Sequence, residues 1–332
     1  MTIDIASIRR AAERLSGRIV RTPLLNSAML DELAGCRVFV KAEPLQKTGS
    51  FKLRGALSKI LSVPEDKRRS GFVAFSSGNH GQAVAAGAKA VGAPSVIVMP
   101  KDAPAIKIES CRWWGAEVVF FDRTTDDREA IGRRIETERG MTLVRPFDDP
   151  EVMSGQGTMG LEIVEQLREV GAVPDALLVN CSGGGLAAGV TTAVRDAFPE
   201  TAFYTVEPAG FDKMARSLAS GEPQRNERLT GSIMDALMAQ VPGRLTLAQL
   251  RANGAKGLSA TDDEALAAMA AAFRTLKLVV EPGGAAALGA LLAGKADLRG
   301  GTVVVVASGG NVDPAMFSRA LERRPGEAAR AA

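Results

Sequence analysis

The chain of 332 residues contains one histidine, three cysteines and no uninterrupted apolar run long enough to span a bilayer. With His80 alone, multi-histidine metal sites are excluded. A serine–histidine–acid hydrolase would have to use that one residue, and no Gly-x-Ser-x-Gly elbow accompanies it. Cys36, Cys111 and Cys181 are widely spaced and odd in number, which argues against a disulfide framework and a structural zinc site. No basic segment followed by an apolar core stands at the N-terminus, so no signal peptide is expected and the reducing cytoplasm is the expected compartment. The net charge is only +3 and the basic residues are dispersed, which leaves no footprint for nucleic acid. What remains is an ordinary globular composition, 46% hydrophobic and 24% charged, with length for two domains or one large domain with a second lobe.

Strand-like runs alternate with helical patterns. Strands are expected at 37–41, 72–75, 95–99, 117–121, 176–179, 202–206 and 302–306. Helices are expected at about 51–62, 81–91, 104–114, 126–139, 157–169 and 186–197, with 207–301 largely helical. Continuous β-branched strands separated by helices indicate an α/β fold of parallel-type sheets covered on both faces. Residues 71–148 contain three βα units of their own and end at Pro146, Asp148, Asp149 and Pro150, so they can form a separate lobe. The tail from Arg323 has little to bury and is expected to fray.

Chemistry gathers at the strand ends. Ser76-Ser77-Gly78-Asn79-His80, Ser182-Gly183-Gly184-Gly185-Leu186, Glu207-Pro208 and Ser308-Gly309-Gly310-Asn311 each follow a strand. In open parallel sheets ligands bind at the carboxyl ends of strands, so these turns point to one crevice. The Ser182–Gly185 run lies between a strand and a helix start, where glycines let backbone N–H groups converge on an anion and the helix dipole adds to the attraction. It reads as a phosphate cradle, or more simply as glycines needed for a tight turn.

The stretch Lys47-Thr48-Gly49-Ser50-Phe51-Lys52-Leu53-Arg54 reads as a turn with Ser50 capping the helix that follows. Lys52 then sits at the positive end of a helix, with Lys47 and Arg54 close by, and all three influences lower its pKa. Such a lysine suits Schiff-base chemistry; a solvated lysine at a helix start is the plainer reading.

Two glycine patterns mislead. Gly155-Gln156-Gly157-Thr158-Met159-Gly160 fits a dinucleotide fingerprint but follows no strand. Gly289–Lys295 imitates part of a Walker motif but has Ala296 where Ser or Thr should bind magnesium. A phosphate cradle with a tuned lysine, and neither a nucleotide motif nor a metal cluster, suggests pyridoxal 5'-phosphate.

Together, Lys47–Lys52, Ser76–His80, Ser182–Leu186, Val280-Glu281-Pro282-Gly283-Gly284 and Ser308–Asn311 give the chain a clear family likeness. It resembles the fold-type II pyridoxal-phosphate enzymes, in the threonine/serine dehydratase and serine racemase branch. The resemblance implies a tryptophan-synthase-β-like fold, with a large cofactor-binding domain of residues 1–70 plus 149–332 and a small mobile domain of 71–148. It also implies a homodimer acting on a small amino-acid substrate.

Lys52 is implied as the Schiff-base lysine and α-proton base, Phe51 as a ring contact, and Asn79 as the partner of the ring oxygen. Ser182, Gly183, Gly184, Gly185 and Leu186 would hold the phosphate, Ser308 would face the pyridine nitrogen, and Glu281 would belong to the cofactor site. Ser76, Asn79 and His80 would receive the substrate carboxylate. A neutral Ser308 hydroxyl cannot hold a protonated pyridine as a carboxylate would. Prompt loss of a β-hydroxyl, giving a 2-oxo acid and ammonia, is therefore the expected outcome.

Ser77 keeps two readings open, a catalytic and substrate-facing group that reprotonates the α-carbon in racemases, or a small spacer at a helix start. Arg128 likewise either approaches a distal acidic group, as in 3-hydroxyaspartate, or lies on a solvated helix face. Racemisation is the nearest alternative activity. A nicotinamide dehydrogenase or a degenerate ligand-binding relative would be a different class, and the intact Lys52 and glycine loop argue against the latter.

The family's divalent-cation site needs an acidic residue where this chain has Lys213, which cannot ligate a cation at neutral pH. No metal is expected there, and a Lys213–Glu207 ion pair would take its place. Added EDTA should leave activity and melting temperature unchanged; a marked fall in either would overturn this expectation.

Overall fold

The computed structural model describes residues 3–323 except 77, 104 and 123, with residue 106 described for its backbone only. Among the described residues, ten strands form two sheets. The first contains β1 (Leu24–Leu25), β2 (Arg37–Ala42), β7 (Ala176–Asn180), β8 (Ala202–Pro208), β9 (Lys256–Ala260) and β10 (Thr302–Ala307). The second contains β3 (Phe72–Phe75), β4 (Ser95–Pro100), β5 (Glu117–Phe121) and β6 (Thr142–Leu143). Their orders are β1-β2-β10-β7-β8-β9 and β5-β4-β3-β6, parallel throughout except for β1 against β2.

Runs of valine make these central strands because both faces are covered. Alternate residues point to opposite sides of the large sheet. Val38, Val40, Val303, Val305 and Leu178 enter one hydrophobic core, whereas Phe39, Val304, Val306, Leu177 and Val179 enter the other. The small sheet repeats the pattern, with Phe72, Ala74 and Ile97 on one side and Val73, Val96 and Val98 on the other. Among the described residues, no helix is long and apolar enough to cross a membrane.

The helix Lys52–Ser62 packs between the helix Asn79–Ala90 of the small sheet and the long helix Pro150–Glu169. Close approach requires small residues. A Cβ on Gly155 would lie 2.6 Å from the Arg54 carbonyl oxygen, and one on Gly160 would lie 2.8 Å from that of Val190. The literal dinucleotide pattern is therefore a helix-packing surface, lying wholly within Pro150–Glu169.

Arg54 locks this lysine helix in place. Its guanidinium donates from Nε and Nη2 to Glu43 at 2.9 and 2.8 Å, and from Nη1 and Nη2 to Glu162 at 2.7 and 2.8 Å. Burial opposes the Arg54 charge, but the two carboxylates outweigh it and push its pKa up. Lys41 Nζ adds bonds to Glu162, Gln166 and the Thr22 carbonyl, so two buried cations face two carboxylates.

Several expectations change. The long helix begins at Pro150 rather than about 157, because Asp149 accepts from the N–H groups of Glu151 and Val152 and caps it there. The region 207–301 contains the strand β9 among its helices, and the two-residue strands β1 and β6 are too short to show a period. The expected helix start at Pro104 and most of the tail lie outside the described residues.

Replacing Arg54 with Met leaves the Glu43 and Glu162 carboxylates without their shared partner. Urea denaturation should then show a loss of about 3–5 kcal/mol; a loss below about 1 kcal/mol would show that the network is not an anchor.

Candidate active site

The order β2-β10-β7 brings three distant segments to one edge of the large sheet. β2 leads through Glu43–Leu45 into the lysine turn, β10 runs out into Ser308, and β7 runs out into the glycine loop. The first two are joined directly. Phe51 N donates to the Ser308 carbonyl at 3.0 Å, Gly310 N donates to the Gly49 carbonyl at 2.8 Å, and Ser50 bridges Gly309. Across from them stand Ser76, Gly78, Asn79 and His80, at the carboxyl end of β3. The cavity enclosed is about 220 Å³.

Ser50 does not cap the lysine helix. The helix starts at Lys52, the flanking Phe51 is helical in backbone, and the buried Ser50 hydroxyl has no hydrogen-bond partner among the described residues. The Lys52 amine donates to the Pro146 carbonyl at 2.9 Å and lies 5.1 Å from the centre of the Phe51 ring. Desolvation alone lowers its pKa to about 8. The neighbouring cations named from sequence do not act on it. Lys47 points outward to the Arg18 carbonyl, and the Arg54 charge is neutralised by its two carboxylates.

At the glycine loop, Gly184 adopts φ +97° as the N-cap of the helix Gly185–Ala197. A Cβ on Gly183 would fall 2.3 Å from the Phe147 ring, and one on Gly185 would fall 2.9 Å from Phe147 Cβ. The Gly183 carbonyl is held from outside by Thr246 Oγ1 at 2.6 Å and Gly243 N at 3.1 Å. The first N–H groups of this helix, at Gly185 and Leu186, have no intrahelical partner and line the cavity with Ser182.

Ser308 lies beside this loop. Asn180 Nδ2 lies 2.8 and 2.9 Å from the Gly284 and Val306 carbonyl oxygens and 3.0 Å from the Ser308 hydroxyl oxygen, three acceptors for two hydrogens. That nitrogen cannot itself accept, which leaves the Ser308 proton for an acceptor in the cavity. Asn180 itself is fixed by Ala287 N, which donates to its Oδ1 at 2.6 Å. Asn79 Nδ2 donates to Glu281 Oε1 at 2.6 Å. Burial pushes Glu281 up to about 7, with Asp235 adding to the shift and Asn79 and Lys107 opposing it.

His80 Nε2 lies 2.8 Å from the Val144 carbonyl, an acceptor only, so Nε2 carries the proton. Burial, reinforced by the Lys52 charge, drives its pKa to about 3, so it is neutral at physiological pH. Ser76 lines the cavity and its hydroxyl accepts from Gly78 N at 3.2 Å. Arg128 begins the helix Arg128–Arg139, lines the same cavity, and has its guanidinium 5.7 Å from the centre of the Phe75 ring. Ser77 lies outside the described residues.

Four contributors carry no role that the sequence alone assigns. Pro146 and Phe147 belong to a segment legible only as a boundary marker, and Asn180 reads as the last residue of a strand. Asp235 pairs with Lys107 at 2.9 Å beside the cavity. Away from the cavity, Glu207 and Lys213 do form the expected ion pair. The Nζ–Oε1 distance is 2.7 Å with both side chains fully buried, and the N–H groups of Met214 and Ala215 donate to Oε2.

A lysine amine, an anion cradle with no room for Cβ atoms, and a neutral hydroxyl donor in one cavity fit a phosphorylated pyridine aldehyde. Comparison with known proteins agrees. Residues 15–309 match the model of the family described as pyridoxal-phosphate dependent enzymes, and the chain belongs to that family. It is 41% identical over 313 residues to an L-threo-3-hydroxyaspartate ammonia-lyase from Pseudomonas sp, covering 94% of this chain and 97% of the relative. A solved threonine deaminase from T.th. is 41% identical, superposes with a TM-score of 0.88, and is matched over 93% of this chain and 99% of its own. Maize serine racemase is 34% identical with a TM-score of 0.90, over 97% and 98% of the two chains. The fold is thus that of fold-type II pyridoxal-phosphate enzymes.

Because the Lys52 pKa lies near 8, its reactive free amine grows about tenfold between pH 6 and pH 7. Mixing cofactor-free protein with pyridoxal phosphate should give yellow colour at a rate that rises with pH and levels off above about 8. A rate that is flat from pH 6 to 9 would contradict the lowered pKa.

Proposed function

We propose that the protein is an ammonia-lyase that removes water from a β-hydroxy amino acid, leaving an enamine that tautomerises to an imine and is hydrolysed by water to a 2-oxo acid and ammonia. The observation that carries this reading is the Ser308 hydroxyl, a neutral group beside Asn180 in the same cavity as the Lys52 amine. In this reading Lys52 attaches the cofactor, Ser182–Leu186 hold its phosphate, Phe51 packs on the ring, Asn79 and Glu281 serve the ring oxygen, and Ser308 meets the pyridine nitrogen. When bound, pyridoxal phosphate supplies an electron-accepting ring for charge developing at the substrate's α-carbon.

The remaining chemistry belongs to the side chains. Lys52, with its pKa near 8, is a base able to take the α-proton, and the Pro146 carbonyl receives the resulting ammonium. Ser308 donates a hydrogen bond without transferring a full proton, so negative charge is not stored, and the β-hydroxyl departs as water with the proton that Lys52 has taken. The start of the helix Asn79–Ala90, with Ser76, offers N–H groups to the substrate carboxylate. His80, neutral and committed to Val144, shapes that pocket without adding charge.

Arg128 in the cavity lining supports a substrate with a second carboxylate, and the relative named as a 3-hydroxyaspartate ammonia-lyase supports the same choice. We therefore assign 3-hydroxyaspartate as the favoured substrate, ahead of threonine and serine. Racemisation is the second reading, supported by Ser77 in the sequence and by the likeness to a serine racemase. The same proposal includes residues 71–148 as a mobile lobe, a homodimer, and a cytoplasmic location, the last supported by three free, buried cysteines.

A panel of 3-hydroxyaspartate, threonine and serine, each as both enantiomers, should be scored for 2-oxo acid, ammonia and chirality of recovered substrate. Lys52→Ala should abolish every activity. Arg128→Leu should lower kcat/KM for 3-hydroxyaspartate about 10- to 100-fold while changing threonine less than about threefold. Equal losses on both substrates would remove the distal-carboxylate role, and racemised substrate without 2-oxo acid would favour the second reading.

A further inference from the structure

The side-chain amide of Asn79 is not free to choose which end it turns toward the cavity. Its orientation can be followed from a backbone carbonyl, which has no donor to exchange. Asn311 Nδ2 lies 2.9 Å from the Thr48 carbonyl oxygen, so that atom of Asn311 must be the donor nitrogen. The same nitrogen lies 2.7 Å from Asn79 Oδ1, which makes that atom of Asn79 the acceptor oxygen. The other end of Asn79 is therefore NH₂, and one of its hydrogens goes to Glu281 Oε1 at 2.6 Å. The second hydrogen is left for whatever occupies the cavity that Asn79 lines.

Glu281 is built to receive that first hydrogen. It is 7% exposed, its N–H donates to the Gly309 carbonyl at 3.0 Å, and it begins the helix Pro282–Leu292 as its N-cap. Its carboxyl oxygen occupies space that only glycine at position 309 leaves open, since a Cβ there would lie 2.4 Å from Oε1. Asn311 is seated in the same way, because a Cβ on Gly49 would lie 2.4 Å from Asn311 Oδ1. Asn79 comes from the helix that follows β3 in the small sheet, whereas Glu281 and Asn311 belong to segments packed on the large sheet. Two groups on one side thus clamp the two ends of one amide on the other.

We propose that Glu281 is a positioning residue that, with Asn311, fixes the Asn79 amide so that an N–H rather than the carbonyl meets the ring oxygen of pyridoxal phosphate. This rests on the reading of Asn79 as the partner of that oxygen. A donor there stabilises the anionic phenolic oxygen, whereas a flipped amide would place oxygen against oxygen. Glu281 needs no contact with substrate to act this way, since it works through Asn79.

The test uses the holoenzyme and two readouts besides turnover, the absorbance spectrum of the lysine-bound cofactor and the dissociation constant for pyridoxal phosphate. Asn79→Ala should alter the balance of the absorbance bands and weaken cofactor binding about tenfold. Glu281→Met should reproduce both changes, while Glu281→Gln, which keeps an acceptor oxygen, should restore the native spectrum. In the Asn79→Ala background, Glu281→Met should add nothing. If Asn79→Ala changes the spectrum and Glu281→Met does not, or if Glu281→Met has its full effect without Asn79, the positioning role is overturned and the reading of Asn79 stands. If Asn79→Ala leaves spectrum and affinity untouched, that reading fails as well.

Discussion

The clamp that Arg54 makes on Glu43 and Glu162 underlies the rest of the site. A guanidinium two residues beyond Lys52 could have been a repulsive neighbour, raising the cost of an ammonium there. Instead its four hydrogen bonds to two carboxylates absorb its charge and tie the lysine helix to the β2 connection and to the long helix behind it. The Lys52 amine is then governed by desolvation, which sets its pKa near 8. Position and reactivity are supplied by separate groups, and neither has to compromise for the other.

The second constraint is strand order. Ser308 and Asn180 are 128 residues apart, yet β10 and β7 are neighbours, so the last residue of one strand lies beside the first residue after the other. The lysine turn enters through β2 on the far side of β10 and is stitched to Ser308 by main-chain bonds. A parallel sheet places all these ends on one edge, and the helices that follow turn their N–H groups toward it. Cavity, cradle and lysine are consequences of one topology.

This explains what can be read from sequence. Val303–Val306 and Leu177–Val179 announce buried strands, and glycines after a strand announce an anion site, so the outline and the candidate residues are legible. Lys52 is legible as a lysine of lowered pKa at a helix start, but the neighbouring cations are not the cause, because nothing in the order Lys47, Lys52, Arg54 reveals that Arg54 turns inward to carboxylates. The Ser50 cap fails for a similar reason. Ser50 is drawn into a bridge with Gly309, a partner 259 positions away, and local cap preference yields to that pairing. Pro146, Asn180 and Asp235 act through a carbonyl, an amide and an ion pair whose partners lie far along the chain, so no local pattern marks them.

The protonation states of the lining groups bear on the choice between elimination and racemisation. Racemisation requires a second group that delivers a proton to the substrate. His80 is removed as a candidate because its Nε2–H is committed to Val144 and burial keeps it neutral far below physiological pH. Lys107 is paired with Asp235, and Glu281 accepts from Asn79. Among the described titratable groups considered, that leaves the Lys52 amine, held by a single main-chain carbonyl, and the Glu281 carboxyl, raised to about 7 and held by Asn79 through one oxygen. With Lys52 as the base and Ser308 a neutral donor, expulsion of a leaving group is favoured over storage of charge at the α-carbon. A proton delivered by the Ser77 hydroxyl would shift that balance toward racemisation.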